Sequence, residues 1–215
     1  MAPVPHDGTA RPSQEPQQPS HPPDVRRFDI VPLEPWIRAL FRHHWGVANY
    51  FDPFSLVDGT NAVASVPKGF YLTDAIAEHA TACLQDFKRA DKPFFLYVAF
   101  TSPHWPIQSR PEELAKYKDT YKMGWDAMRA ARYRRQVVMG LFQPDQAVLT
   151  PRARLEAPWS GVTDKDWQAS RMKAHAAMVD RMDQDIGKIL AALRENGQLD
   201  NTLLFFLSDN GASPE

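Results

Sequence analysis

Apolar positions recur at helical spacing in two long stretches of this chain and run without alternation in two short ones. Beginning at Thr73, the residues Ile76, Ala80, Cys83, Leu84 and Phe87 follow at steps of three and four, the spacing of one helix face. Thr73 suits the N-cap, and Asp74 falls in the first turn, where a carboxylate meets the positive end of the helix dipole. A longer stripe passes through Met172, His175/Ala176, Val179, Met182, Ile186, Ile189/Leu190 and Leu193. It predicts a helix over 167–195, stopped by Asn196-Gly197. The short runs are Phe94-Phe95-Leu96-Tyr97-Val98-Ala99-Phe100 and Thr202-Leu203-Leu204-Phe205-Phe206-Leu207-Ser208. Apolar runs of this length without alternation read as strands buried on both faces, the habit of parallel sheets. Strand, long helical crossover and strand make an α/β fold, with the two strands parallel and joined right-handedly.

The remaining segments are less regular. Trp36, Ile37, Leu40, Phe41 and His44 suggest a short helix over 36–45, crowded at its start by Pro32 and Pro35. Residues 111–122 read as a short helix and turn. Residues 123–142 read as a further helix with Met123, Ala127, Ala130/Ala131, Val137 and Leu141 inward. Its Arg129, Arg132, Arg134 and Arg135 form either an anion-binding patch or a solvated face. Residues 143–166, with Pro144, Pro151 and Pro158, read as loop.

Composition divides the chain. Residues 1–27 are rich in Pro, Gln, Ser and His and poor in large apolar side chains. Such a stretch cannot bury enough surface to offset its ordering entropy, so it is expected to be a disordered tail. Residues 28–44 stay unassigned, and 45–215 carry the domain. The formal net charge of -1 gives no electrostatic pull toward nucleic acid or an anionic membrane. No run approaches the roughly 18–20 apolar residues of a spanning helix. The first residues lack the basic and apolar regions of a secretory signal, which leaves the cytoplasm as the default compartment. Cys83 is the only cysteine, so an intramolecular disulfide and a Cys-rich zinc site are excluded. On the apolar helix face it reads as a small core residue.

Candidate chemistry gathers at the ends of the two strands. His104 follows the first, held in a loop by Pro103 and Pro106. Asp209 and Asn210 follow the second. In open α/β sheets, sites form outside the carboxyl edge, so parallel strands would bring these residues to one cleft. A carboxylate and an amide offer oxygen donors, which suit Ca²⁺ or Mg²⁺. Asp209-Asn210-Gly211 is equally a good turn former. His104 could hydrogen-bond an anionic substrate or act as an acid, or be an ordinary surface residue. Trp105 could line a pocket or cover the sheet edge.

Three segments together resemble the type I sulfatases, the arylsulfatases of the alkaline-phosphatase-like superfamily. They are Lys92-Pro93-Phe94-Phe95-Leu96-Tyr97 with Pro103-His104-Trp105-Pro106, the helical run 178–190, and Phe206-Leu207-Ser208-Asp209-Asn210-Gly211. Tyr50-Phe51 and Tyr71-Leu72-Thr73-Asp74 fit the family's upstream segment. The resemblance covers about 45–215. It implies an alkaline-phosphatase-like α/β fold and hydrolysis of small-molecule or glycan sulfate esters at a Ca²⁺ site. It also implies that Asp209 and Asn210 are metal ligands and that His104 contacts the sulfate as a catalytic residue. The family's nucleophile is a formylglycine made from Cys/Ser-X-Pro-X-Arg, and no such motif occurs in these residues. The early strand with paired aspartates, the Gly-Lys-Trp-His type segment and the later lysine are likewise missing. The expectation is therefore a partial sulfatase domain holding half of the site, with exposed strand edges and no turnover by itself. A phosphate or phosphonate ester hydrolase of the same superfamily, and a non-enzymatic remnant or interaction protein, are the alternatives.

Overall fold

A computed structural model describes residues 29–30, 49–53, 56–58, 61–90, 93–152 and 157–208. The short helix expected over 36–45, all of the 1–27 tail, and Asp209 and Asn210 lie outside these residues.

Among the described residues, three short strands precede the first helix: β1 (Asp29–Ile30), β2 (Val57–Asp58) and β3 (Asn61–Ala62). Helix α1 (Leu72–Ala90) leads to β4 (Phe94–Phe95). Helices α2 (Pro111–Lys116), α3 (Gly124–Val138) and α4 (Lys165–Glu195) follow. β2 and β3 form an antiparallel pair, and β1 and β4 a parallel one, with Asp29 opposite Phe94 and Ile30 opposite Phe95. Parallel pairing beside long helices places the chain in the α/β class.

The core is the seam between α1 and α4. Ala77, Ala80 and Leu84 of α1 meet Ile189, Ala192 and Leu193 of α4, all buried. The alanines let the helix backbones approach closely. Phe87 of α1 and Phe94, Leu96, Val98 and Phe100 of the β4 segment pack against this cluster, and the Phe87 and Phe94 rings stack at 5.0 Å. A second cluster gathers Tyr50, Leu56, Tyr71, Leu72, Ile76 and Met178. Burying a side chain such as Leu84 contributes about 1.5–3 kcal/mol.

The α4 boundary follows its sequence signal. Gly197 adopts φ of 71°, the left-handed region, and the Gln198 N–H bonds back to the Leu193 carbonyl at 2.9 Å. This closes the last turn as a Schellman motif does. The Asn196 side chain also donates to the Leu84 carbonyl at 3.2 Å, tying the end of α4 to α1.

Four expectations need correction. First, 94–100 is covered on one face only. Phe94, Leu96, Val98 and Phe100 face the helices, whereas Phe95 and Tyr97 are exposed by 55% and 61%. Second, the ladder partner of this run is β1. Its two residues, Asp29 and Ile30, are too few to show a strand pattern in the sequence. Third, 202–208 joins no ladder among the described residues, and Leu203, Phe205, Phe206 and Leu207 are 74–80% exposed. Fourth, the buried face of α4 is Ala177, Met178, Asp185, Ile189, Ala192 and Leu193. Val179 and His175 of the expected stripe face outward. The helix is turned by about one position, because its inner face includes ionic side chains that an apolar count passes over. Around α3, likewise, Met123 before the helix, Ala127 within it and Leu141 after it are exposed rather than inward.

Candidate functional site

His104 stands in the loop 101–110, beyond the carboxyl end of β4. The prolines make this segment non-helical, and buried groups hold it. The Tyr50 hydroxyl is shared between the carbonyls of Thr101, at 2.8 Å, and His104, at 3.0 Å. The His104 N–H bonds to the Thr101 carbonyl at 2.9 Å. The Tyr71 hydroxyl donates to the Gln108 carbonyl at 2.8 Å, and the Gln108 side-chain oxygen accepts the Tyr50 N–H at 2.8 Å. Buried Ser102 donates from Oγ to the Met178 carbonyl of α4 at 3.2 Å.

The His104 side chain is exposed, and its Nδ1 lies 2.7 Å from the Trp105 carbonyl. A carbonyl can only accept, so Nδ1 carries the proton in this contact. Nε2 is then an acceptor in neutral imidazole and a second N–H donor once the ring is protonated. Trp105 is half exposed beside it.

Behind the loop lies an ionic cluster that joins four elements. Asp74 in the first turn of α1 accepts Arg181 Nε at 2.5 Å and Nη2 at 2.8 Å, a bidentate pair, and Arg110 Nη1 at 2.7 Å. Arg181 Nη1 and Gln184 also reach Glu113 of α2, at 3.4 and 3.2 Å. Asp185, fully buried one turn on, accepts Lys188 Nζ at 2.6 Å. Burial would raise the Asp74 carboxyl, but its bonds to Arg181 hold it below the ordinary value. Asp185 moves the other way. Burial pushes it up to about 6, against Lys188 and with the Asp74 charge. One carboxyl of the pair is thus held charged and the other inclined to keep its proton.

The other candidates fall as follows. Cys83 is buried in the α1 face, and burial raises its thiol, as a core residue requires. Arg129 donates to the Thr150 carbonyl and hydroxyl at 2.8 and 2.9 Å, so it tethers α3 to the following loop. Among the described residues, no group of three or more His, Cys, Asp or Glu could hold a metal ion.

Residues 15–215 match the sulfatase family. The chain belongs to it. An uncharacterised sulfatase of Schizosaccharomyces pombe is 36% identical over 148 residues, covering 67% of this chain and 26% of that protein. An arylsulfatase of Klebsiella aerogenes is 31% identical over 171 residues, covering 79% of this chain and 36% of that one. The chain therefore spans about a quarter to a third of the length of these curated relatives. Among solved structures, the yidJ protein of Bacteroides fragilis aligns with a TM-score of 0.49 at 18% identity, over 71% of this chain and 28% of that one.

Within this sulfatase chain, two of the three motif segments are described. Residues 93–106 of the first motif form β4 and the His104 loop, and 178–190 lie within α4. They touch through Ser102 and Met178. The third motif ends outside the described residues, so its place relative to His104 is not set by these contacts. The sequence reading missed the part played by Tyr50, Tyr71, Arg110, Glu113, Arg181 and Asp185. A usable signal was present: Arg181 and Asp185 stand four apart, in line with Ala177 and Ile189. Ionic residues within an otherwise buried row point to a partner across the interface.

Proposed function

We propose that this chain supplies part of a sulfate-monoester hydrolase site, in which His104 presents a ring N–H to the sulfate group. The observation that carries this reading is the loop itself. In a sulfatase-family chain, an exposed imidazole sits in the loop that follows the β4 segment, on a backbone fixed by buried tyrosines. A donor fixed before the ligand arrives stabilises developing negative charge without reorganisation.

Asp209 and Asn210 are proposed as oxygen donors to Ca²⁺. Their chemistry fits a hard cation, although two donors fall short of the six to eight that Ca²⁺ takes. When bound there, the ion would withdraw charge from sulfonyl oxygens. The chain's own contribution is orientation: β4 and its loop carry His104, and the bond from Nδ1 to the Trp105 carbonyl sets the direction of the ring.

These 215 residues contain no Cys/Ser-X-Pro-X-Arg nucleophile motif, so the chain by itself is expected to bind a sulfate ester without hydrolysing it. The test is an aryl sulfate assay in Ca²⁺ with the 215-residue chain, beside calorimetric binding of the same ester. Binding that His104→Ala abolishes, with no turnover, supports the reading. Turnover above that of Asp209→Ala would show that another group serves as nucleophile. Tighter binding of an aryl phosphate than of the sulfate would move the substrate class to phosphate esters.

A further inference from the structure

We infer that Tyr50 is a positioning residue for His104, acting through the loop backbone, with Tyr71 as its counterpart at the far end of the same loop. This rests on the proposed role of His104, and it names what sets the place of that imidazole.

Tyr50 is 3% exposed. Its single phenolic proton lies between two carbonyls, those of Thr101 and His104, three residues apart. Together with the bond from the His104 N–H to the Thr101 carbonyl, it closes the turn on which His104 stands. The main chain of Tyr50 is committed as well. Its N–H bonds to the Gln108 side chain, and its carbonyl accepts the Leu72 N–H at 2.8 Å, at the start of α1. The Tyr71 ring stacks on that of Tyr50 at 5.7 Å, and its hydroxyl fixes the Gln108 carbonyl. Two phenols rooted at one helix start therefore grip both ends of one loop.

The ring of His104 inherits this placement. Its Nδ1 bonds to the carbonyl of the next residue, so the imidazole direction follows the backbone of 104–105. Burial pushes the Tyr50 phenol far above its ordinary value and Tyr71 up to about 12. Both hydroxyls thus keep their protons, and remain donors, at neutral pH. Neither phenol needs to touch a substrate for this effect, which separates it from catalysis. A tyrosine that served the core alone would need only its ring, and Phe would replace it.

Tyr50→Phe in the 215-residue chain keeps the ring and removes one oxygen. Amide relaxation over 101–108, the His104 ring signals and the affinity for inorganic sulfate are measured by NMR. Expected are unchanged α1 and α4 signals, faster internal motion at 101–104, and sulfate affinity reduced about tenfold, the effect of one lost hydrogen bond. Tyr71→Phe should loosen the Gln108 end and move His104 less. Unchanged relaxation and ring shifts in Tyr50→Phe would overturn the inference. If wild-type His104 ignores sulfate, the functional reading fails, while the relaxation comparison still decides the positioning. Should Tyr50→Phe not fold, the wild-type hydroxyl proton decides instead. A slowly exchanging signal with cross-peaks to 101–104 upholds the inference, and rapid exchange without them overturns it.

Discussion

Arg181 and Asp74, 107 residues apart, form a bidentate ion pair that fastens the middle of α4 to the first turn of α1, with Nε–Oδ1 at 2.5 Å and Nη2–Oδ2 at 2.8 Å. Their side chains are 19% and 11% exposed. Removing one partner of such a pair leaves an uncompensated charge in a poorly hydrated place.

Arg181→Ala should therefore destabilise the chain by about 3–5 kcal/mol, because Asp74 would lose its main partner and Glu113 one of its own. Arg181→Lys should recover only part, since an ammonium cannot make the two parallel bonds. Urea unfolding of the three proteins measures both. A loss for Arg181→Ala below about 1 kcal/mol, the scale of an exposed pair, would contradict this.

Asp185 gives stability a pH dependence of unusual sign. A carboxyl raised in the folded state binds its proton more tightly there than in the unfolded chain. Its contribution is fully present below the ordinary value of 3.8 and is lost as pH rises through about 6. Asp74, held below its ordinary value, works oppositely and loses its contribution as pH falls through that lowered value. Stability should thus fall by about 2–3 kcal/mol between pH 4 and 7 from Asp185 alone. Asp185→Asn removes the titrating carboxyl and keeps an oxygen for Lys188, so it should flatten that decline. Melting temperatures of both proteins over pH 3.5–7.5 test this; parallel curves would refute the assignment.

Gly124 begins α3 at φ of 79°, and a Cβ there would run into the Trp159 indole. That indole also meets Trp125 edge-on at 4.8 Å, and the Trp159 backbone N–H donates to the Asp126 carboxylate at 2.7 Å. Gly124→Ala should cost about 1–3 kcal/mol through overpacking, in addition to backbone strain. Tryptophan fluorescence should shift as Trp159 moves. An unchanged spectrum and melting point would show that the indole yields without cost.

A Ca²⁺ site with two donors should be weak. With a dissociation constant on the order of 1 mM, 1 mM Ca²⁺ adds only about 0.4 kcal/mol, and Asp209→Ala should remove it. Differential scanning calorimetry with and without the ion measures the difference. A shift that persists in Asp209→Ala would place the ion elsewhere.

How much of this was legible beforehand depended on where periodicity carried the information. Helix α1 and the Gly197 stop of α4 were plain, because apolar steps and a C-terminal glycine are local signals. The His104 loop followed from its prolines. The rotation of α4 was hidden, since Asp185 is buried for the sake of Lys188 and the neighbouring Asp74–Arg181 pair, and partners across 107 residues leave no periodic trace. The pairing of β4 with Asp29–Ile30 was hidden for a similar reason: a two-residue ladder has no pattern of its own. Tyr50 and Tyr71 stood in the sequence only as residues of the upstream family segment, and only the fold shows what their hydroxyls hold.

The most direct test of the central claim is a titration of the 215-residue chain with inorganic sulfate, read at the His104 ring protons by NMR. Expected is a saturable shift of the His104 ring signals, accompanied by the 101–104 amides and lost in His104→Ala. A chain whose His104 signals stay fixed while sulfate saturates other residues would contradict the claim that this imidazole faces the sulfate group.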